Sequence, residues 1–373
     1  MTPDLELVVI DVPQGSAMES QSGLQMARPR IYGALVGPPT AKAGLIVMHP
    51  ASNFMGHYLL DAFARRGVQV LALNSRYVNN DTTLIMERVI QDLGAGVQFM
   101  RRRGVEQLTL VGNSGGAALV CLYQSQAERL TIEATPAGDP VALEPEQLPP
   151  ADGIALAAAH PGRAELLDRW LDASVVDERD PLTALADLDI YDAHTTIPFE
   201  RTFVDRVRTR QRARHDAITA YVRRRLAFLR SRSDRPGDEA LLVHRTYADP
   251  RFVDVTLDAN DREPGGNRGD PRSVNYGPNC LGRYSTLTSW LSQWSADTCA
   301  DGPASLAATS VPVLQLEYTA DQAVFPSDIA AWSRAAGDRE QHHVLKGATH
   351  YLTGQPDLRD EVADHLEAFA VAR

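Results

Sequence analysis

The 373-residue chain is 44% hydrophobic and 23% charged, an ordinary globular balance, long enough for one elaborated domain or two. Its net charge of −11 argues against general nucleic-acid or anionic-membrane binding, and no uninterrupted apolar run approaches the ~18 residues a membrane helix needs. The first residues, MTPDLELVVIDVP, lack the basic-then-apolar pattern of a secretory leader, so a cytoplasmic chain is expected. Three scattered cysteines (Cys121, Cys280, Cys299) suit free thiols better than a disulfide framework or a zinc site.

Residues 5–12 and 30–36 predict two antiparallel edge strands joined by a polar connection containing Gly and Ser. Residues 44–49 read as a buried strand that ends in His49-Pro50-Ala51-Ser52-Asn53. A helix over 55–66, with Leu59, Leu60 and Phe63 at core spacing, precedes a strand over 68–73. Asp81 can cap a helix over 82–103, where Ile85, Val89, Leu93, Val97 and Met100 recur at helical period and Gly94 and Gly96 weaken it. The apolar run 108–111 leads straight into Gly112-Asn113-Ser114-Gly115-Gly116 and a Pro-free helical stretch over 117–123. Another strand over 154–158 ends at His160-Pro161-Gly162.

Strand–helix alternation then stops. Residues 159–308 hold helical pieces over 165–171, 203–230 and 287–294, with 247–280 mostly loop. Alternation resumes with a strand over 311–318, a helix over 328–336 capped by Ser327, a strand over 341–345 and a closing helix over 356–372. Such alternation implies a mostly parallel sheet with helices on both faces. Residues 1–158 and 309–373 then form one split α/β domain, interrupted by 159–308.

The stretch 107–121 carries the chemistry. In G-x-S-x-G between a strand and a helix, the serine sits on a sharp strained turn that lifts its hydroxyl above the sheet edge. Gly112 and Gly116 lack the Cβ atoms that would collide where strand and helix cross. The Gly115 N–H then lies at the helix N-terminus, where negative charge on a substrate oxygen is favoured. A serine needs a base and a group to orient that base. Reactive side chains in an open parallel sheet lie beyond the carboxyl ends of the strands, which selects Asp321 and His350. His342 and His343 lie early in their strand, away from that edge.

These residues resemble the α/β-hydrolase superfamily over both flanking segments: GNSGG at 112–116, TADQAVFP at 319–326 and GATH at 347–350. The order Ser114, Asp321, His350 is the family's order. The resemblance implies a nucleophile (Ser114), a base (His350) and an orienting acid (Asp321). It also implies oxyanion donors from the N–H groups of Gly115 and, because Pro50 has none, Ala51. His49, Asn53, Asn113 and His160 are the remaining candidates for substrate contact, a packed histidine being the alternative for His49 and His160. The insertion at 159–308 would be a helical cap placed before the penultimate core strand. Most of its aromatic residues (Trp170, Trp290 and Trp294 among them) would form the cap's own core, with two or three facing the serine to make an aromatic or large apolar pocket.

The expected activity is cleavage of a carboxylic ester, with a small-molecule substrate of aromatic or anionic character. Thioesters, lactones and C–C bonds are served by the same triad. No metal-ligand spacing, G-x-G-x-x-G or G-K-S/T occurs, so no metal or nucleotide cofactor is expected. Residues 201–235 carry twelve arginines and three aspartates, a local charge of +9 that leaves −20 on the rest. The plain reading is a helix ion-paired to the acidic body or a homo-oligomer interface; the sharper one is an anion-recognising lid. A non-catalytic protein that binds an acidic partner through this helix is the rival to the enzyme.

Overall fold

The computed structural model describes residues 5–15, 27–234 and 237–372. The first half contains β1 (Glu6–Asp11), β2 (Arg30–Val36), β3 (Ala43–His49), α1 (Tyr58–Phe63), β4 (Gln69–Asn74), α2 (Met86–Arg102), β5 (Gln107–Asn113), α3 (Gly116–Glu128) and β6 (Gly153–Ala157). Next come α4 (Arg163–Trp170), α5 (Arg201–Arg230), β7 (Ala240–Leu242), α6 (Pro271–Tyr276), β8 (Tyr284–Thr286), α7 (Leu287–Gln293) and α8 (Gly302–Ala307). The chain closes with β9 (Val313–Tyr318), α9 (Pro326–Ala336), β10 (Glu340–Leu345) and α10 (Pro356–Val371).

Eight strands form one sheet in the order β1-β2-β4-β3-β5-β6-β9-β10. β2 runs antiparallel to both β1 and β4, and every other neighbour pair is parallel. This is the α/β-hydrolase fold. The central strands are buried on both faces, as their unbroken apolar runs require. One face is covered by α2, α3, α8 and α9, and the other by α1 and α10. Only β1 of the first pair is an edge, because β2 gains a second partner in β4. Most of the polar connection between β1 and β2 lies outside the described residues.

Helix starts differ from expectation for local reasons. α2 begins at Met86, four residues late, and Asp81 caps nothing: its carboxylate pairs with Arg163 at 2.8 Å. Gly94 does not break α2, since a methyl there would come 2.3 Å from the Gln147 carbonyl, a contact that demands glycine. α1 is shorter than 55–66 because His57 stops it, Nδ1 accepting the Leu59 N–H. α9 starts at Pro326, whose fixed φ suits a first helical position. Asp328 accepts the Phe325 N–H at 3.0 Å, while Ser327 is turned to Asp258.

Between β6 and β9 the chain builds its own small cores. Leu167, Val222, Leu226, Trp290 and Trp294 form one, and Trp170, Tyr247 and Phe252 join Phe325 of the sheet domain in another. The short ribbon β7–β8 and helix α6 were not foreseen within or beside the expected loop. α8 packs with the sheet-side core through Leu306.

Candidate active site

β5 ends at Asn113, and Ser114 takes φ 54°, a left-handed backbone that costs an L-residue on the order of 1–3 kcal/mol. Three backbone hydrogen bonds hold it: its N–H donates to Ala157 O, and its carbonyl accepts from Ala117 and His160, each at 3.2 Å. Gly112 and Gly116 permit the crossing, since a methyl at 112 would lie 2.6 Å from Ala117 Cα and one at 116 would lie 2.3 Å from Met48 O. The turn therefore presents the hydroxyl above the carboxyl ends of β3, β5 and β6.

The Ser114 hydroxyl lies 3.0 Å from His350 Nε2. His350 Nδ1 lies 2.8 and 3.0 Å from the two Asp321 oxygens. His350 and Asp321 are 4% and 1% exposed, so water does not compete for these bonds. Burial pushes the Asp321 carboxyl up, but the facing His350 and hydrogen bonds from His350 and from the Ala323 and Val324 N–H groups win and hold it below the ordinary aspartate range. The two loops are locked together: Ala320 N–H donates to Ala348 O at 3.0 Å, and Gln355 spans Gly347 and Thr349. Gln355 was not anticipated, because it acts through loop geometry that no spacing encodes.

A cleft of about 370 Å³ opens over Ser114 and His350. His49, Asn53, Asn113 and His160 all line it. Asn113 is spent on the scaffold, donating to Ala157 O at 3.0 Å and accepting from His57 Nε2 at 3.2 Å. His160 is buried with Nδ1 unpartnered, and burial holds its pKa at about 3. Ala51 is not free to act as expected. Its N–H donates to His49 Nδ1 at 3.1 Å, and the Ser52 N–H joins it at 2.8 Å. The Gly115 N–H donates to no protein group among the described residues.

Of the aromatic residues in 159–308, Trp170 and Trp294 reach the cleft, whereas Trp290 packs with Leu167, Val222 and Leu226, and Tyr221, Phe228 and Tyr284 face solvent. No arginine of 201–234 lines the cleft; most of those side chains are ion-paired instead, for example Arg208–Asp249 at 2.7 Å, Arg214–Glu178 at 2.6 Å and Arg230–Asp139 at 2.7 Å. The cleft has different cations, Arg163, Arg268 and Arg359, and no Asp or Glu on its wall. Arg163 is neutralised by Asp81. Arg268 and Arg359 have no carboxylate partner among the described residues. Sequence reasoning missed both, since each sits on an aperiodic loop or a helix turn whose position over the serine is set by the fold.

Among the described residues, no group of three His, Cys, Asp or Glu side chains is arranged to hold a metal ion, and no helix is long and apolar enough to cross a membrane.

No protein-family model matches the sequence, and no curated protein matches it. Solved structures do share its fold. A structure described as a DcsB complex with its substrate analogue is 12% identical and superposes with a TM-score of 0.51, covering 98% of this chain and 100% of that one. The esterase domain of a Rhodothermus marinus protein is 13% identical over 98% and 97% of the two chains, with a TM-score of 0.47. The peroxisomal α/β-hydrolase Lpx1 of Saccharomyces cerevisiae is 10% identical over 99% and 90%, with a TM-score of 0.45. At such identities the likeness is one of fold.

Proposed function

We propose that the protein is a serine hydrolase that cleaves a carboxylic ester through an acyl-enzyme on Ser114. One observation carries this reading: the continuous hydrogen-bonded line from the Ser114 hydroxyl through His350 to buried Asp321. His350 takes the Ser114 proton as Oγ bonds to the carbonyl carbon, and Asp321 fixes the tautomer that leaves Nε2 free to accept it. The carbonyl electrons move to oxygen, against the Gly115 N–H. The C–O bond to the alcohol then breaks, and the alcohol leaves with the proton from His350. Water attacks the acyl carbon, gives a proton to His350, and the proton returns to Ser114 as the acid departs.

Residues 159–308, read as a cap on a core of 1–158 and 309–373, supply the distal wall. Trp170 and Trp294 make that wall aromatic and Arg268 makes it cationic, with Arg359 of α10 adding a second cation to the cleft, which favours a small ester with a carboxylate or phosphate on one side of the scissile bond. A thioester or lactone of the same charge would serve the same machinery. The ion pairs made by most of the 201–234 arginines speak against a binder that uses that helix.

A fluorophosphonate probe should label the wild-type protein and leave Ser114→Ala unlabelled. Equal labelling of both, or of neither, would remove the serine-hydrolase reading. The substrate side is checked with matched aryl esters, one neutral and one bearing a carboxylate. Arg268→Gln with Arg359→Gln should raise KM for the charged ester on the order of tenfold and leave the neutral one within about twofold. An equal change for both esters would remove the anion preference.

A further inference from the structure

An oxyanion site needs a second donor beside the Gly115 N–H, and the loop after β3 does not supply it from the backbone in the usual way. Pro50 has no N–H, and those of Ala51 and Ser52 both point at His49 Nδ1, at 3.1 and 2.8 Å. A ring nitrogen that accepts from two N–H groups carries no proton. The neutral imidazole must then hold its proton on Nε2. Here the tautomer follows from two fixed backbone donors. Burial, then the nearby Arg163, His160 and Arg268, keep the His49 pKa well below its ordinary value, so the ring stays neutral.

His49 Nε2–H makes no hydrogen bond among the described residues, yet it stands on the cleft wall beside the nucleophile. A methyl placed on Gly115 would come 2.7 Å from this nitrogen, so the ring edge lies against the Cα whose own N–H opens α3. Two unspent N–H donors, on His49 and Gly115, thus stand on the same cleft wall as Ser114. The same contact gives the second glycine of the motif a reason: any side chain at 115 would displace the ring.

We propose that His49 is a catalytic residue whose Nε2–H, together with the Gly115 N–H, binds the oxyanion, a side-chain donor standing where Ala51 was expected. The proposal rests on the Ser114 reading. As Oγ bonds to the carbonyl carbon, the π electrons move onto oxygen, and both donors hold that charge. His49 keeps its proton throughout, while His350 alone moves one.

His49→Asn is the informative variant. Its side-chain oxygen can still accept from the loop N–H groups in place of Nδ1, but no donor reaches the Nε2 position. With a wild-type circular dichroism spectrum, it should lower kcat about 10²–10³-fold and change KM by less than about threefold. Affinity for a trifluoromethyl ketone, which forms an oxyanion adduct on Ser114, should fall by a similar factor, while affinity for the unreactive methyl carbinol stays constant. His49→Asn activity within threefold of wild type, beside an inactive Ser114→Ala, overturns the His49 role and leaves the serine mechanism standing. An active Ser114→Ala overturns the underlying reading instead. The wild-type protein offers an independent check that needs no variant to fold. The His49 Nε2–H proton resonance should shift downfield on forming the ketone adduct, and an unmoved resonance rules the contact out.

Discussion

His350→Ala is expected to reduce kcat for an ester on the order of 10⁵-fold or more, the largest loss any change in the cleft should produce short of removing Ser114 itself. The Ser114 proton has one acceptor within reach, His350 Nε2 at 3.0 Å. His160 is the neighbouring imidazole, 5.4 Å away between ring centroids, and burial lowers its pKa to about 3, which makes it a poor base at neutral pH. It cannot substitute. The variant should also be less stable at neutral pH by about 3 kcal/mol, because Asp321 is 1% exposed and loses the partner that faces its charge. Steady-state kinetics and urea denaturation measure the two effects separately. A kcat within tenfold of wild type in a folded His350→Ala protein would dismiss the histidine as base.

Much of this arrangement was legible in the sequence, because some motifs couple spacing to geometry. G-x-S-x-G between an apolar run and a helix admits few backbones, and Gly112 and Gly116 are explained by contacts of 2.6 and 2.3 Å that any side chain would violate. Asp321 and His350 could be selected because chemistry in a parallel sheet gathers at one set of strand ends. What stayed hidden depends on how one side chain turns. The fate of the Ala51 N–H is decided by the orientation of His49 two residues away, and nothing in His-Pro-Ala-Ser announces it. Asp81 has the spacing of a helix cap yet serves Arg163, a partner 82 residues away.

The basic segment shows the same limit for charge. Composition reveals twelve arginines close together, but their partners (Asp139, Glu178, Asp249 and Asp297 among them) are scattered across the chain. Only the fold brings them to α5. Among the described residues, the cleft cations without a carboxylate partner are single arginines elsewhere, Arg268 and Arg359, which no local excess of charge marks out.

Asp321→Asn should lower kcat about 10⁴-fold while leaving the backbone and the cleft volume unchanged. Asp321 Oδ1 accepts the N–H groups of Ala323 and Val324 at 2.7 and 3.0 Å, and an asparagine must keep its carbonyl oxygen there. Its amide NH₂ then takes the place of Oδ2, 2.8 Å from His350 Nδ1, and donates where the carboxylate accepted. Nδ1 loses its proton, Nε2 gains it, and the nitrogen facing Ser114 can no longer act as a base. Asp321→Ala does not force this tautomer, so it should be no less active than Asp321→Asn despite the larger change in shape. Stability supplies a second signature. The folded pKa of Asp321 is depressed, so its contribution is present above the unfolded value of about 4 and is lost as pH falls through the folded one. The stability gap between wild type and Asp321→Asn should therefore narrow below about pH 4. Near-wild-type turnover by Asp321→Asn, or a gap that widens on acidification, would show that this carboxylate does not set the state of His350.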